Sequence, residues 1–135
     1  MKITTTSAEL IANSLMKNAD FLIKQGVKND EHFSILSASL DRGTHIVIEI
    51  DGQKAAWLQV VPESMTYAIL HGYVWPEFRD KSKDLYSTAL AYVKKTSIEK
   101  VGIYCNSNVR NFLLKRLNFK DKKSGEGFFI VEKFL

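Results

Sequence analysis

Residues 66–95 read TYAILHGYVWPEFRDKSKDLYSTALAYVKK, and this stretch decides the fold. Its first nine residues, Thr66 to Val74, are rich in β-branched, aromatic and aliphatic side chains and end at Trp75-Pro76, as a strand does. After Trp75-Pro76-Glu77-Phe78, the residues Leu85, Tyr86, Ala89, Leu90 and Val93 recur at helical spacing from Ser82 to about Lys95. A strand runs through a short polar loop into a helix.

Upstream, Thr44 to Ile50 alternates Ile46, Ile48 and Ile50 with His45, Val47 and Glu49, the two-residue period of a strand. Asp51-Gly52 signals a tight hairpin turn. The return strand, Lys54 to Val61, stops at Pro62, and Glu63-Ser64 leads to the strand at Thr66, so three antiparallel strands are expected.

Before them, Lys2 to Thr5 is a short strand. Ser7 can cap a helix whose apolar residues Ile11, Leu15, Ala19 and Leu22 share a face and which Gly26 ends. Asn29 or Asp30 caps a second helix with Phe33, Leu36 and Leu40 on one face, and Gly43 lies beyond it.

Downstream, a strand at Val101 to Cys105 is followed by a helix carrying Val109, Phe112, Leu113 and Leu117. Two last strands, around Phe119 and from Gly127 to Phe134, are expected to turn at Ser124-Gly125. No repeat, low-complexity tract or long linker divides the chain, so residues 1–135 read as one domain.

Composition narrows the function classes. A hydrophobic share of 45% with 25% charged residues belongs to a globular chain, not a disordered or membrane one. The longest apolar stretches, such as Ala55 to Val61, are too short to cross a bilayer, and a basic region with an apolar signal segment is missing at the start. The expected location is cytoplasmic, without membrane contact. One cysteine, Cys105, allows no internal disulfide and reads as a buried inert thiol. His32, His45 and His71 are scattered, so no metal site is expected.

The net charge of +4 favours anionic partners. Arg110, Lys115, Arg116, Lys120, Lys122 and Lys123 give the last third a basic bias, which reads as a solvated face rather than a nucleic-acid site.

The element order strand, two helices, three strands, helix, strand, helix, two strands resembles the mixed α/β fold of the GNAT (GCN5-related) N-acetyltransferases. Leu70-His71-Gly72-Tyr73-Val74-Trp75-Pro76-Glu77-Phe78-Arg79 is similar to that family's fourth strand and its V-x-P-E-(Y/F)-R continuation. Asn108-Val109-Arg110-Asn111-Phe112-Leu113-Leu114-Lys115-Arg116-Leu117-Asn118-Phe119 is similar to its N...lYeklGF segment.

The resemblance implies an acetyl-CoA-dependent N-acetyltransferase acting on a small amine or a protein amine. It places acetyl-CoA against Tyr73, Val74, Arg79, Lys81, Ser82, Lys83, Asn106 and Asn108. In the family an (R/Q)-x-x-G-x-(G/A) loop offers the pyrophosphate the unpaired amides of a helix start. Here that loop reads Arg79-Asp80-Lys81-Ser82-Lys83-Asp84, with Ser82 and Asp84 at the small-residue positions.

A carboxylate about 5 Å from a pyrophosphate charge would cost on the order of 3 kcal/mol at an effective dielectric near 20, roughly a hundredfold in affinity. Arg79, Lys81 and Lys83 offset part of that. Asp84 also reads as a helix-dipole partner, and the two lysines as a solvated helix start.

The family's carbonyl contact, a backbone N–H, would come from about Tyr73 or Val74. Its leaving-group tyrosine falls at Leu114, which cannot donate a proton, and its usual base positions fall at Ala68 and Leu70. His71, Tyr73 and Tyr104 are the remaining catalytic candidates, and a bulge would be needed to swing His71 inward. Asn106, Ser107 and Asn108 read equally as cofactor contacts or helix cap.

The alternative is a GNAT-like domain without catalysis, a binding or structural protein of bacteriophage type. Phe128, Phe129 and Phe134 offer an aromatic strand for pairing in a homodimer.

Overall fold

A computed structural model describes residues 1–135. The seven strands are β1 (Lys2–Thr6), β2 (Thr44–Ile50), β3 (Gln53–Pro62), β4 (Tyr67–Val74), β5 (Lys100–Cys105), β6 (Lys120–Gly125) and β7 (Phe128–Phe134). They form one sheet in the order β1-β2-β3-β4-β5-β7-β6, antiparallel everywhere except for the parallel β4–β5 pair.

Helices α1 (Ala8–Leu15), α2 (Ala19–Lys24) and α3 (Asp30–Ser39) precede β2. Helix α4 (Ser82–Lys94) makes the crossover between the parallel strands, and α5 (Ser107–Arg116) follows β5. A 3-10 turn, Pro76–Lys81, joins β4 to α4.

Two hydrophobic cores lie on opposite faces of the sheet, and the strand period sorts residues between them. Ile46, Ile48, Leu58, Ala68, Leu70, Val101 and Ile103 pack with Leu85, Ala89 and Val93 of α4 and Leu113 of α5. Val47, Trp57 and Tyr73, from the alternate positions, pack with Ile11, Leu15, Phe21 and Leu40. Because helices cover both faces here, β2 buries its polar His45 as well, and the Trp57 Nε1–H donates to His45 Nδ1 at 3.0 Å. Burial pushes the His45 imidazole below its ordinary pKa.

The N-terminal half departs from the expected two helices. The stripe Ile11, Leu15, Ala19, Leu22 does not form one helix, because Asn18 caps a new one, its Oδ1 accepting from the Phe21 N–H at 3.1 Å. This break brings Phe21, rather than Ala19 or Leu22, fully into the core. Phe33 stays exposed on α3, while Leu40 at its end is buried. Gly43 is fixed by a close approach: with φ of 70°, a Cβ there would run into the backbone carbonyl of Val60.

The expected hairpin stands as read, with Asp51 and Gly52 both at positive φ as a two-residue primed turn requires. The last hairpin turns two residues later than expected. Ser124 and Gly125 pair with Phe129 and Phe128, and Glu126-Gly127 make the turn, Gly127 at φ 77°. β6 is an exposed edge strand, and Lys120, Lys122 and Lys123 charge it in a way that discourages further strand pairing. Arg110 is paired with Asp121 and Lys122 with Glu132, so part of the basic bias is neutralised locally.

No helix of the chain is long and apolar enough to cross a membrane.

Candidate functional site

The decisive geometry is where β4 and β5 separate. They are paired from Tyr67–Lys100 to Leu70–Ile103, and beyond that point no ladder joins them although both strands continue. A cleft of about 530 Å³ opens in the gap, lined from β4 by Leu70 through Val74 and from β5 by Ile103 through Cys105.

Backbone direction follows from alternation along the strand. The Trp75 N–H donates to Ala55 on β3, and the Thr66 carbonyl accepts from Glu99 and Lys100 on the β5 side. Even-numbered residues of β4 therefore turn their backbone groups towards β5. Past Leu70 these are Gly72 and Val74, whose N–H groups face the gap. The amide of Tyr73 points the other way, towards β3, so of the two residues expected to offer a carbonyl contact only Val74 turns its amide to the cleft.

Side chains alternate too. Gly72 leaves open the α4 side, where Tyr86 stands: a Cβ on Gly72 would lie 3.9 Å from the Tyr86 hydroxyl and 3.4 Å from the Trp57 carbonyl. His71 and Tyr73 are on the α2 side. β4 has no bulge, its register with β3 running unbroken from Ala68 to Val74. His71 reaches the cleft without one, because the opening extends through the sheet to Lys24 and Gln25 at the end of α2. Burial, reinforced by the charge of Arg42, pushes the His71 pKa below its ordinary value and leaves the imidazole neutral at neutral pH.

Tyr73 is held rather than free. Its hydroxyl donates to Asp20 Oδ2 at 2.6 Å, its ring meets Phe21 and Trp75 edge-on, and the Arg79 guanidinium lies 5.8 Å above its centroid. Burial, helped by the Asp20 carboxylate, pushes its pKa up to about 12. Arg79 is paired with the same Asp20 and donates from Nε to the Val74 carbonyl at 3.3 Å. The hydrogen bond from Tyr73, then that from Arg79, holds the Asp20 carboxyl below the usual range.

At the start of α4 the Ser82 N–H donates to the Arg79 carbonyl, and the Ser82 hydroxyl donates to the same oxygen at 2.8 Å. Neither Asp80 nor Asp84 caps this helix, whose N-cap, Lys81, makes no side-chain cap bond. Asp84 is exposed in its first turn.

The structure gathers His71, Tyr73, Val74, Arg79, Ser82, Tyr104 and Asn106 around one cleft, and it leaves Lys81, Lys83 and Asn108 outside the lining. Asn106 both lines the cleft and caps α5, its Oδ1 accepting from the Val109 N–H at 2.9 Å. Tyr104 is 55% exposed at the mouth. Cys105, expected to be buried, is half-buried in the lining, and burial raises its pKa so that it stays a thiol.

Sequence reading missed four contributors. Tyr86 and Phe112 read as core, which they partly are, their rings 5.6 Å apart. Lys24 reaches the cleft only through the α1–α2 break, and Phe128 only through the shifted hairpin turn. An asparagine three residues ahead of Phe21 was the one signal for the first, and Glu126-Gly127 for the second.

Comparison of the whole chain with solved structures gives consistent neighbours. An acetyltransferase of the GNAT family from Elizabethkingia anophelis with acetyl-CoA bound superposes with a TM-score of 0.74 at 12% identity, over 99% of this chain and 97% of that one. The chain has the GNAT acetyltransferase fold. Two further GNAT-fold matches are the IAA acetyltransferase from Bacillus cereus, with a TM-score of 0.74 at 14% identity over 99% of each chain, and the PaiA N-acetyltransferase from Thermoplasma acidophilum in complex with coenzyme A, at 0.68 and 20% over the full length of both. No protein-family model matches the sequence, and no curated protein matches it. These comparisons lend nothing to the bacteriophage-type reading.

Proposed function

We propose that this chain is an acetyl-CoA-dependent N-acetyltransferase. The observation that carries the reading is the parting of β4 from β5 beyond Leu70 and Ile103, which leaves the Gly72 and Val74 amides facing a cleft. A thioester lying in that gap would supply an activated acetyl group. Pre-aligned N–H donors stabilise the negative charge that develops on its carbonyl oxygen without reorganising.

The acceptor nitrogen attacks the thioester carbonyl carbon, a C–N bond forms and the C–S bond breaks. The nitrogen gives up one proton and the departing sulfur takes one. His71, neutral and on the α2 side of the cleft, would receive the proton from nitrogen. Tyr86, whose high pKa keeps its proton on oxygen, stands on the α4 side and suits the donor role that Leu114 leaves vacant. Tyr73, bonded to Asp20, positions the wall rather than transferring a proton. Asn106, Ser82 and Arg79, which line the cleft, would meet the pantetheine and phosphate arms.

Titration calorimetry with acetyl-CoA and with CoA tests the reading. Saturable binding of both is expected, and no heat at roughly millimolar ligand overturns it. A second reading, a GNAT-fold protein that binds without catalysing, draws on the engagement of Arg79 with Asp20 and of Ser82 with the Arg79 carbonyl. Binding of acetyl-CoA with no release of thiol on any amine would favour it.

A further inference from the structure

The cleft opens through the sheet, and on the face away from α4 and α5 its arm is lined by Lys24, His71, Tyr104 and Phe128. Its charge is one-sided. The lining holds two cations, Lys24 and Arg79, and no aspartate or glutamate. Arg79 is neutralised by Asp20, which also accepts from Tyr73, so that carboxylate is already engaged. Glu126, beside the arm at the tip of the last hairpin, is exposed. Lys24 makes no direct ion pair; Asp20, one turn earlier on α2, lies within its electrostatic reach but is already bonded to Tyr73 and Arg79. His71, the remaining titratable group on the α2 side that could carry charge, is neutral.

The surfaces beside Lys24 are aromatic. Tyr104 is 55% exposed and Phe128, one face of whose ring rests over Gly125, 41% exposed, and both line the opening. Exposed aromatic rings at the rim of a cleft favour a flat or bulky apolar group.

We propose that this arm takes a small primary amine that also carries a carboxylate and an aromatic or bulky apolar side chain, an amino-acid-like acceptor. The inference rests on the acetyl-transfer reading for the position of the amine. The carboxylate pairs with the Lys24 ammonium, the side chain lies against Tyr104 and Phe128, and the amine is left facing His71 and the gap. A molecule with several positive charges meets Lys24 and finds no counter-charge, so polyamines and lysine-rich peptides are disfavoured.

The test uses the full chain and measures binding directly. Amide chemical shifts of the ¹⁵N-labelled protein are followed on titration with L-phenylalanine, with phenethylamine, which keeps the ring and amine but lacks the carboxylate, with glycine, and with spermidine. Each titration is run with and without CoA, and acetylated product is measured by mass spectrometry when acetyl-CoA is supplied.

The expected result is perturbation at Tyr104 and Gly127, with L-phenylalanine binding about tenfold more tightly than phenethylamine or glycine, a difference of ~1.4 kcal/mol, and spermidine weakest. Lys24→Gln is expected to remove the advantage over phenethylamine and Lys24→Glu to reverse it. Lys24 is exposed, so neither variant threatens the fold. Equal or better binding of phenethylamine or spermidine, an unchanged ratio in Lys24→Gln, or no binding of any amine overturns the inference. If CoA fails to bind while the phenylalanine preference holds, the acetyl-transfer reading falls and what survives is the class of ligand this side of the cleft binds, not its role as acceptor. If acetyl-CoA is turned over without that preference, the reverse is true.

Discussion

The same two strands, β4 and β5, behave differently at their two ends. At the closed end, from Tyr67 to Leu70, they are hydrogen-bonded in parallel, and the Tyr67 ring lies over Gly102 with its hydroxyl donating to Glu132 at 2.8 Å. At the open end, from His71 to Val74, β4 keeps its pairing with β3 but has no partner on the β5 side, and the walls there are lined from outside by residues of α2, the 3-10 turn and α5. A parallel ladder satisfies its own backbone groups, whereas a parted one must leave amides facing water or a ligand. The closed end is structure, and the open end is available for chemistry.

The largest expected effect removes the outside support. Phe21 packs edge-on against both Trp57 and Tyr73, so Phe21→Ala is expected to cost about 3–5 kcal/mol in urea denaturation. A loss below about 1 kcal/mol would mean that the open end holds itself.

Next comes the proposed proton acceptor. His71→Gln is expected to lower the acetyl-transfer rate about a hundredfold, near 2.7 kcal/mol of barrier, with acetyl-CoA affinity unchanged in calorimetry. In the unaltered protein the rate should rise with pH as His71 loses its proton, with a midpoint below 6.5. Because the folded pKa is depressed, the unfolded chain binds this proton more readily, so stability is full above pH 6.5 and declines as pH falls below it. An acid limb that persists in His71→Gln would assign the base elsewhere.

A matched pair of glycine substitutions compares the ends directly. Gly102→Ala would drive a methyl group into the Tyr67 hydroxyl and force the ring off Glu132, at a cost of about 1–3 kcal/mol in thermal or chemical denaturation. Gly72→Ala meets no atom closer than 3.4 Å and should change stability by less than about 1 kcal/mol, while weakening acetyl-CoA binding by narrowing the gap. Equal destabilisation by the two would erase the distinction.

The smallest effect tests the clamp between α2 and Arg79, where the proposed cofactor would lie. Asp20→Asn releases Arg79 from its ion pair and is expected to tighten acetyl-CoA binding a few-fold, as a freed guanidinium becomes available to phosphate. Weaker binding would show instead that the clamp organises the site.

Much of the fold was legible because local patterns agreed with it. The β2–β3 hairpin followed from strict alternation around Asp51-Gly52, and β4, the Pro76 break and α4 followed from a change of period within thirty residues. The errors arose where a local competitor overrode periodicity. Asn18 interrupted a helical stripe by capping, and Glu126-Gly127 outcompeted Ser124-Gly125 as the turn because only the later position lets Gly125 and Phe128 pair.

The site was legible in part. His71, Tyr73, Tyr104 and Asn106 do meet at the cleft; β4 has no bulge to swing His71 inward, and His71 lines the opening from its own face of the sheet. Arg79 kept its place but proved to be paired with a residue 59 positions away.

By itself the sequence determined the elements, their order and the loop chemistry of Arg79 to Asp84, since periodicity, turn residues and caps act over a few neighbouring residues. Only the tertiary structure decided that β4 and β5 part beyond Leu70, that Asp20 holds both Tyr73 and Arg79, and that Lys24 lines the cleft without a direct ion pair. Those facts depend on contacts between residues far apart in the chain, and such contacts are set by the packing of both faces of the sheet at once.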